Sequence, residues 1–239
     1  MEDKSSLIFI MIASYRDPQL IPTIRDCIDK SKYPERLRFG ICRQYAKMDI
    51  WDHKYEFEND PRFKWDDVLW NRSEGCCWSR SKGQQFYDGE KYYMQLDSHM
   101  RFAYDWDVGC IEMLDGLRDA GSEKPLLTSY VGGYDPLLNW GGNDWGMINL
   151  DPAPCRMVFY KWTDDGIPLN RPQVMEGWQN MKSPEPAAWL SAHFIFTYGT
   201  WVEEVPYDPE LYFHGEEPSL AARSYTHGWD LFHPHINPW

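Results

Sequence analysis

The sequence predicts an α/β fold built on a mostly parallel sheet flanked by helices. Residues 7–13 (LIFIMIA) form an unbroken apolar run of strand length, which is typical of a strand buried on both faces. Apolar residues then recur at helical spacing over 20–28, and a second strand-like run follows at 37–42. A strand, a helix and a strand at this spacing form a βαβ unit, whose crossover makes the two strands parallel.

The remaining elements continue this alternation of strands and helices. Residues 46–73 are polar, rich in Trp and Asp, and without a clear period, so we interpret them as an irregular excursion. The Gly-, Asn-, Asp- and Trp-rich stretch at 132–154 is typical of a long ordered loop, the usual place for a substrate-binding lid. The other predicted elements are a helix at 76–87, a strand at 92–96, a helix at 106–118, strands at 126–131, 157–162 and 187–198, a helix at 217–225 and a strand starting at 231.

The composition narrows the classes of function. The 239 residues suffice for a large domain with a substantial core. The net charge of −13 argues against a nucleic-acid-binding surface. The 13 Trp and 15 Tyr suit either core packing or stacking on the apolar faces of sugars. Because the six cysteines show no zinc spacing and we find neither a membrane-spanning run nor a signal-peptide cleavage site, we expect a soluble, cytoplasmic protein.

A metal-binding pair is predicted where the strand at 92–96 ends. Asp97 and His99 follow it, and in an extended backbone residues i and i+2 point the same way. A carboxylate oxygen and an imidazole nitrogen at that spacing can hold Mn²⁺ or Mg²⁺, and the lack of a thiolate beside them makes structural zinc a poor match. Parallel sheets bind ligands beyond the carboxyl ends of their strands, which favours a site at this position.

Several motifs along the chain together resemble one enzyme family. They are ASYRD at 13–17, QLDSH at 95–99, SAHF at 191–194, VPYDP at 205–209, FHGEE at 213–217, LAAR at 220–223 and THGWD at 226–230. In this order they resemble the GT-A-fold N-acetylglucosaminyltransferases that modify hydroxyproline in cytosolic eukaryotic proteins, and their bacterial and viral relatives. The sequence is also similar, more distantly, to the polypeptide N-acetylgalactosaminyltransferases, which share the Asp-Ser-His triplet.

The resemblance implies a single GT-A glycosyltransferase domain over 1–239, with a Rossmann-like, mostly parallel sheet. Residues 1–131 would form the half that binds the nucleotide sugar, and residues 132–239 the half that binds the acceptor and catalyses transfer. The implied donor is UDP-GlcNAc with a divalent metal, Mn²⁺ or Mg²⁺, and the sugar would pass with retention to a hydroxyl of a protein or glycan acceptor. The implied donor-binding residues are Ala13, Ser14, Tyr15, Arg16, Gln44, Arg80, Asp97, Ser98 and His193.

The resemblance also assigns the metal ligands and the catalytic acids. Asp97 and His99 would hold the metal, and Glu216 and Glu217 match the acidic pair that faces the acceptor and the donor sugar. The family supplies a third ligand, a histidine on the last strand. Here we expect His233 or His235, or a histidine beyond Trp239, because the family's histidine aligns a few residues past that position and the chain is expected to be truncated there.

Other interpretations stay open at the level of sequence. Glu216 and Glu217 at the start of a helix are also ordinary compensation of the helix dipole, and His193 in an apolar strand is also typical of a hydrogen-bonded core histidine. Two other functional classes fit the motifs. One is a module that binds a nucleotide sugar or glycan without turnover, and the other is a nucleotide-sugar hydrolase.

Overall fold

The computed structural model describes residues 3–51, 53–54, 56–133 and 153–238. Its strands are β1 (Ile8–Tyr15), β2 (Leu37–Tyr45), β3 (Phe63–Leu69), β4 (Tyr92–Asp97), β5 (Pro125–Thr128), β6 (Cys155–Trp162), β7 (Pro168–Val174), β8 (Glu185–Pro186), β9 (Phe194–Tyr198) and β10 (Asp230–His233). Its α-helices are α1 (Leu20–Asp29), α2 (Cys76–Gln84), α3 (Trp106–Asp119), α4 (Trp201–Glu204) and α5 (Glu216–Thr226). Short 3₁₀ helices occur at Pro34–Arg36, Trp70–Arg72 and Trp178–Asn180.

An eight-stranded mixed sheet in the order β3-β2-β1-β4-β9-β5-β10-β8 forms the centre of the fold. The strands β3, β2, β1 and β4 are parallel neighbours, β9 runs antiparallel to β4 and β5, and β8 runs antiparallel to β10. The apolar run of β1 is buried, as its sequence predicts. The α/β class and the mostly parallel sheet are therefore confirmed. Among the described residues, no helix has both the length and the apolar character needed to cross a bilayer.

The interpretation of 46–73 as irregular is wrong for its last part, because β3 lies there. β3 pairs in parallel with β2 at one edge of the sheet. Its polar residues are neutralised locally, since Asp66 pairs with Lys82 and Asp67 pairs with Arg43. β3 therefore lacks the alternation of apolar and polar residues by which a strand is normally predicted, and ion pairs stabilise it instead.

The hairpin of β6 and β7 forms a separate two-stranded sheet, and its second strand was not predicted. The sequence of β7, PLNRPQV, contains two prolines, which argue against a central strand. A strand with one neighbour tolerates them because its other edge makes no ladder hydrogen bonds. The predicted loop at 132–154 lies almost wholly outside the described residues.

The predicted strand at 187–198 is shorter in the structure and begins at Phe194. The amides just before it are bound by side chains instead of by a neighbouring strand. Ser191 N–H donates to Thr128 Oγ1 at 2.8 Å, and Ala192 N–H donates to Glu217 Oε1 at 2.9 Å. His193 therefore precedes the strand, and its side chain is about one-third exposed at 35%.

Candidate active site

Two adjoining cavities lie beyond the carboxyl ends of β1, β2 and β4, where ligands bind in open α/β sheets. The larger, which we call the cleft, has a volume of about 570 Å³ and is lined by Asp97, His99 and Glu217 among others. The smaller, which we call the side pocket, has a volume of about 550 Å³ and is lined by Gln44, Trp70 and Ser79 among others. The residues that line both are Ala13, Tyr15, Cys76 and Phe213.

A buried arginine is held between two carboxylates at the floor of the cleft. Arg80, on α2, donates from Nη2 to Asp97 Oδ1 at 2.7 Å and from Nη1 to Glu216 Oε1. The side chains of Arg80 and Glu216 are each only 6% exposed. Tyr207 completes the cluster, since its hydroxyl lies 3.3 Å from Arg80 Nη1. Burial opposes the charge of Arg80, but the attraction of Glu216 and the other nearby groups raises its pKa, so the guanidinium stays protonated.

His99 is oriented by Asp17, a residue that the sequence analysis does not place among the site residues. Asp17 Oδ2 accepts hydrogen bonds from His99 Nδ1 at 2.7 Å and from Ser98 Oγ at 2.6 Å. Burial alone would raise the pKa of Asp17, yet the hydrogen bonds from His99, Ser98 and the Gln19 amide together lower it. The hydrogen bond that His99 donates to Asp17 raises the pKa of His99. In neutral His99 the proton is on Nδ1, and Nε2 keeps a lone pair that is available to a metal ion.

The free atoms of Asp97 and His99 suit a divalent cation. Asp97 Oδ2 lies 3.8 Å from His99 Nε2 and 3.9 Å from His193 Nε2. Oxygen and nitrogen atoms are ligands that Mn²⁺ accepts, and a histidine that donates its other ring N–H to a carboxylate, as His99 does to Asp17, is usual at metal sites. Within the described ranges no group of three or more His, Cys, Asp or Glu side chains is arranged to hold a metal ion. The described residues therefore offer such a cation two protein ligands, Asp97 and His99.

Both ring nitrogens of His233 have backbone partners, against the expectation that this residue could be the third ligand. His233 is buried, with Nε2 accepting from Met157 N–H at 3.1 Å and Nδ1 bonded to Thr128 O at 2.8 Å. Both ring nitrogens are thus occupied by backbone groups, and neither is free for a metal. Burial lowers the pKa of His233 to about 4. His235 also lies outside the described lining of the cleft, and burial lowers its pKa too.

The two adjacent glutamates have different surroundings. Both line the cleft, but the Glu216 side chain is only 6% exposed and lies against Arg80, whereas the Glu217 side chain is 28% exposed. Glu217 Oε1 accepts the Ala192 N–H and lies 3.9 Å from His193 Nδ1. Burial raises the pKa of Glu217, and burial also lowers the pKa of His193. Glu217 is therefore the more accessible carboxylate of the pair for a ligand in the cleft.

The side pocket is organised by Gln44, near the end of β2. Gln44 Nε2 donates to the backbone oxygen of Ser14 at 3.1 Å and lies 3.0 Å from Ser79 Oγ. A carbonyl oxygen can only accept, so this contact fixes which end of the amide is nitrogen. Gln44 Oε1 is shielded from solvent and has no hydrogen-bond partner in the part of the chain that the structure describes. The pocket therefore contains one unused acceptor.

The structure brings most of the predicted site residues together. The cleft is lined by Ala13, Tyr15, Arg80, Asp97, Ser98, His99, His193, Glu216 and Glu217, and the side pocket also by Gln44. Ser14 and Arg16 are absent from the described linings of both cavities. Ser14 supports Gln44 through its carbonyl oxygen, and Arg16 is paired with Asp49 at 2.7 Å, near the Trp70 ring.

Comparison with protein families gives a match over nearly the whole chain. A family model described as Glycosyltransferase (GlcNAc) matches residues 7–61 and 53–239. A search of curated proteins found no sequence match.

Solved structures similar to this chain are glycosyltransferases of GT-A fold. GalNAc-T7 with UDP, GalNAc and Mn²⁺ has a TM-score of 0.66 at 15% identity, over 98% of this chain and 43% of that one. Residues 1–349 of TarS from S. aureus have a TM-score of 0.53 at 10% identity, over 95% and 60% of the two chains. The same TarS region with UDP-GlcNAc has a TM-score of 0.51 at 11% identity, over 95% and 58%. At these identities the likeness confirms the fold, and this chain spans less than two thirds of each neighbour.

Proposed function

We propose that this chain, which belongs to the glycosyltransferase (GlcNAc) family, transfers GlcNAc from UDP-GlcNAc to a hydroxyl of a protein or glycan acceptor. The observation that carries the proposal is the Arg80–Asp97–His99 cluster in the cleft, which shares part of its wall with the side pocket. A positive group and a metal-binding pair in the cleft suit a diphosphate, and the adjoining side pocket offers space for the nucleoside. Neighbours of the same fold were solved with UDP and a sugar, with Mn²⁺, or with UDP-GlcNAc, which supports this choice of donor.

The transfer is proposed to depend on Mn²⁺ or Mg²⁺ held by Asp97 and His99. When bound, such a cation supplies positive charge that stabilises the departing diphosphate. The protein's own contribution is preorganisation. Arg80 holds one oxygen of Asp97 so that the other faces His99, and Asp17 fixes the tautomer of His99. Groups that are oriented before the donor arrives need no reorganisation when charge develops.

In the side pocket, Gln44 would select the nucleobase. Its free Oε1 can only accept a hydrogen bond, and uracil offers an N–H between its two carbonyl groups. Cytosine has an unprotonated ring nitrogen at that position, so it would face Gln44 with a second acceptor. This chemistry supports a uridine nucleotide as the donor. Tyr15 and Trp70, which also line the pocket, offer aromatic surface for the base.

Glu217 is the residue that we propose acts on the reacting sugar. It lines the cleft from the start of α5, and its carboxylate can favour the positive charge that develops at the anomeric carbon. Glu216 would instead position Arg80, because its oxygen is bound to that side chain. Asp97 comes from residues 1–131 and Glu217 from 132–239, so each proposed half contributes to the cleft. Retention at the anomeric carbon belongs to the same proposal.

The test is to incubate the protein with UDP-GlcNAc and Mn²⁺, with and without hydroxyproline peptides, other peptides and sugar acceptors. A transferase releases UDP at full rate only when an acceptor is present, and the anomeric configuration of the product is read by NMR. UDP release at the same rate without acceptor would identify a hydrolase. Donor binding without UDP release under all these conditions would identify a binding module. Asp97→Ala, which removes a proposed metal ligand, should abolish the metal-dependent release.

A further inference from the structure

The side-chain amide of Asn170 is an unused polar group in the wall of the cleft. Asn170 lies on β7 opposite Phe159, and it lines the same cavity as Asp97 and Glu217. Its Oδ1 and Nδ2 atoms are both shielded from solvent, and neither has a hydrogen-bond partner among the residues that the structure describes. Both ends of the amide are therefore free, so this observation does not depend on which end is oxygen.

An unpartnered amide at this position is unfavourable for the protein alone. Buried polar groups are normally hydrogen-bonded, and Asn is depleted in strands. Other polar groups of the same cleft have partners within the protein, since Asp97, His99 and Glu217 are each hydrogen-bonded, and Arg80 binds two carboxylates although its Nε is unpartnered among the described residues. Sites that break such rules are often those where a ligand supplies what the fold lacks. Asn170 thus has the character of a ligand-binding residue.

The chemistry of the amide restricts its ligand. A planar carboxamide presents a donor and an acceptor side by side. A phosphate or carboxylate offers acceptors alone and would leave Oδ1 unpaired. A secondary acetamide directs its N–H and C=O in opposite directions, so it can reach one end only. Two adjacent hydroxyls of a pyranose fit both ends, because one can accept from Nδ2–H while the other donates to Oδ1.

We infer that Asn170 binds a pair of adjacent hydroxyls on a hexopyranose in the cleft. This inference rests on the proposed function, because it assumes that a sugar occupies this cavity. The hydroxyl pair can belong to the transferred sugar of the donor or to a sugar acceptor. Separate measurements on the two substrates distinguish these sources.

The test compares Asn170→Leu with Gln173→Leu, each assayed beside wild type. Leu resembles Asn in branching and size but cannot hydrogen-bond, and Gln173 is an exposed amide residue on the same strand. Binding of UDP and of UDP-GlcNAc is measured by calorimetry with Mn²⁺ present. Losing two hydrogen bonds to a ligand should weaken its binding about 10- to 30-fold. We therefore expect Asn170→Leu to bind UDP normally and UDP-GlcNAc about 10- to 30-fold more weakly, if the hydroxyls are those of the donor.

If the hydroxyls belong to the acceptor, donor binding stays normal and the KM for the sugar acceptor rises by a similar factor. Either result supports the inference. The unliganded Asn170→Leu protein should be at least as stable to urea as wild type, because no internal hydrogen bond is lost. Gln173→Leu should match wild type in every assay.

Two outcomes for Asn170→Leu would overturn the inference while wild type remains active. One is normal binding of UDP-GlcNAc together with a normal KM for every sugar acceptor. The other is a less stable protein that binds UDP and UDP-GlcNAc equally poorly, which would show a structural role. Failure of the proposed function is seen in wild type itself, as a lack of binding to both UDP and UDP-GlcNAc, and the inference then falls with it.

Discussion

Replacing Glu216 with Gln should destabilise the fold far more than the same change at Glu217. Glu216 and Arg80 are both almost fully buried and in direct contact. Glu216→Gln removes one charge and leaves the guanidinium in a site of low polarity. Asp97 still accepts from Nη2 at 2.7 Å, so Arg80 keeps one of its two carboxylate partners. The loss should therefore lie at the lower end of the range for breaking a buried ion pair, about 3 kcal/mol.

Urea unfolding, followed by fluorescence of the many Trp residues, measures this loss. With a slope of about 2–3 kcal/mol per molar urea, a loss of about 3 kcal/mol lowers the midpoint by about 1 M. The slope itself should not change, because the substitution alters one contact and not the surface exposed on unfolding. Turnover should also fall, since Arg80 loses one of the two groups that position it.

Glu217→Gln is the matched control, one residue further along the chain. Gln can still accept the Ala192 N–H through its oxygen. Because burial raises the pKa of Glu217, its ionised form opposes folding at neutral pH, and removing the charge costs little. We expect stability within about 1 kcal/mol of wild type and a fall in turnover of roughly 100-fold. Equal midpoints for the two variants, or a lower midpoint for Glu217→Gln, would refute the division of roles.

Three further predictions test other parts of the structure. Asp17→Ala should weaken Mn²⁺ binding in the presence of UDP about 10- to 100-fold, because His99 loses the group that orients it; unchanged affinity by calorimetry would contradict this. The pKa of His233 is about 4 in the folded protein and 6.5 in the unfolded chain. Lowering the pH from 7 to 5 therefore protonates His233 mainly in the unfolded chain, which should cost wild type about 2 kcal/mol of stability. That extra loss should be absent in His233→Gln, and parallel pH profiles from urea unfolding would refute the assignment. Gly199→Ala should lower the free energy of unfolding by about 3 kcal/mol or more, because the added carbon collides with a backbone carbonyl oxygen. At Gly116 the added carbon meets no atom of the described residues within 4 Å, so Gly116→Ala should be neutral or stabilising when both variants are compared by urea unfolding.

The central part of the fold could be predicted because its local signals agree with its environment. β1 is apolar throughout and buried on both faces, so its sequence and its position lead to the same result. The edge strand β3 and the hairpin strand β7 carry polar residues and prolines, and they are stabilised by ion pairs or by a single neighbour. The ion-pair partners of β3 lie on α2 and β2, and the prolines of β7 are tolerated only because it pairs with β6 alone, so neither strand shows an alternating pattern of its own.

The candidate site could be predicted in its composition but not in its connections. The resemblance pointed to both glutamates, yet successive residues at the start of a helix point in directions about 100° apart. Only the folded chain shows that Glu216 is bound to Arg80, across 136 residues of sequence, while Glu217 is the more exposed of the two in the cleft. The sequence analysis did not place Asp17 or Asn170 at the site, because a single Asp or Asn in a polar segment is usually part of a turn.

The cavities concentrate features that an independently stable fold would avoid. Arg16, at the end of β1, has a φ of 50°, which is uncommon for a residue other than glycine; its N–H donates to Gln44 O at 2.8 Å. Gln44 Oε1 and the amide of Asn170 lack partners within the described chain, and Arg80 is a buried charge. Unusual backbone alone does not mark a site, since Asp105 also has a positive φ, at the start of α3. What distinguishes the cavities is that unpaired polar atoms and a buried charge occur together in their walls, beside the unusual backbone of Arg16, as expected if binding energy compensates for lost stability.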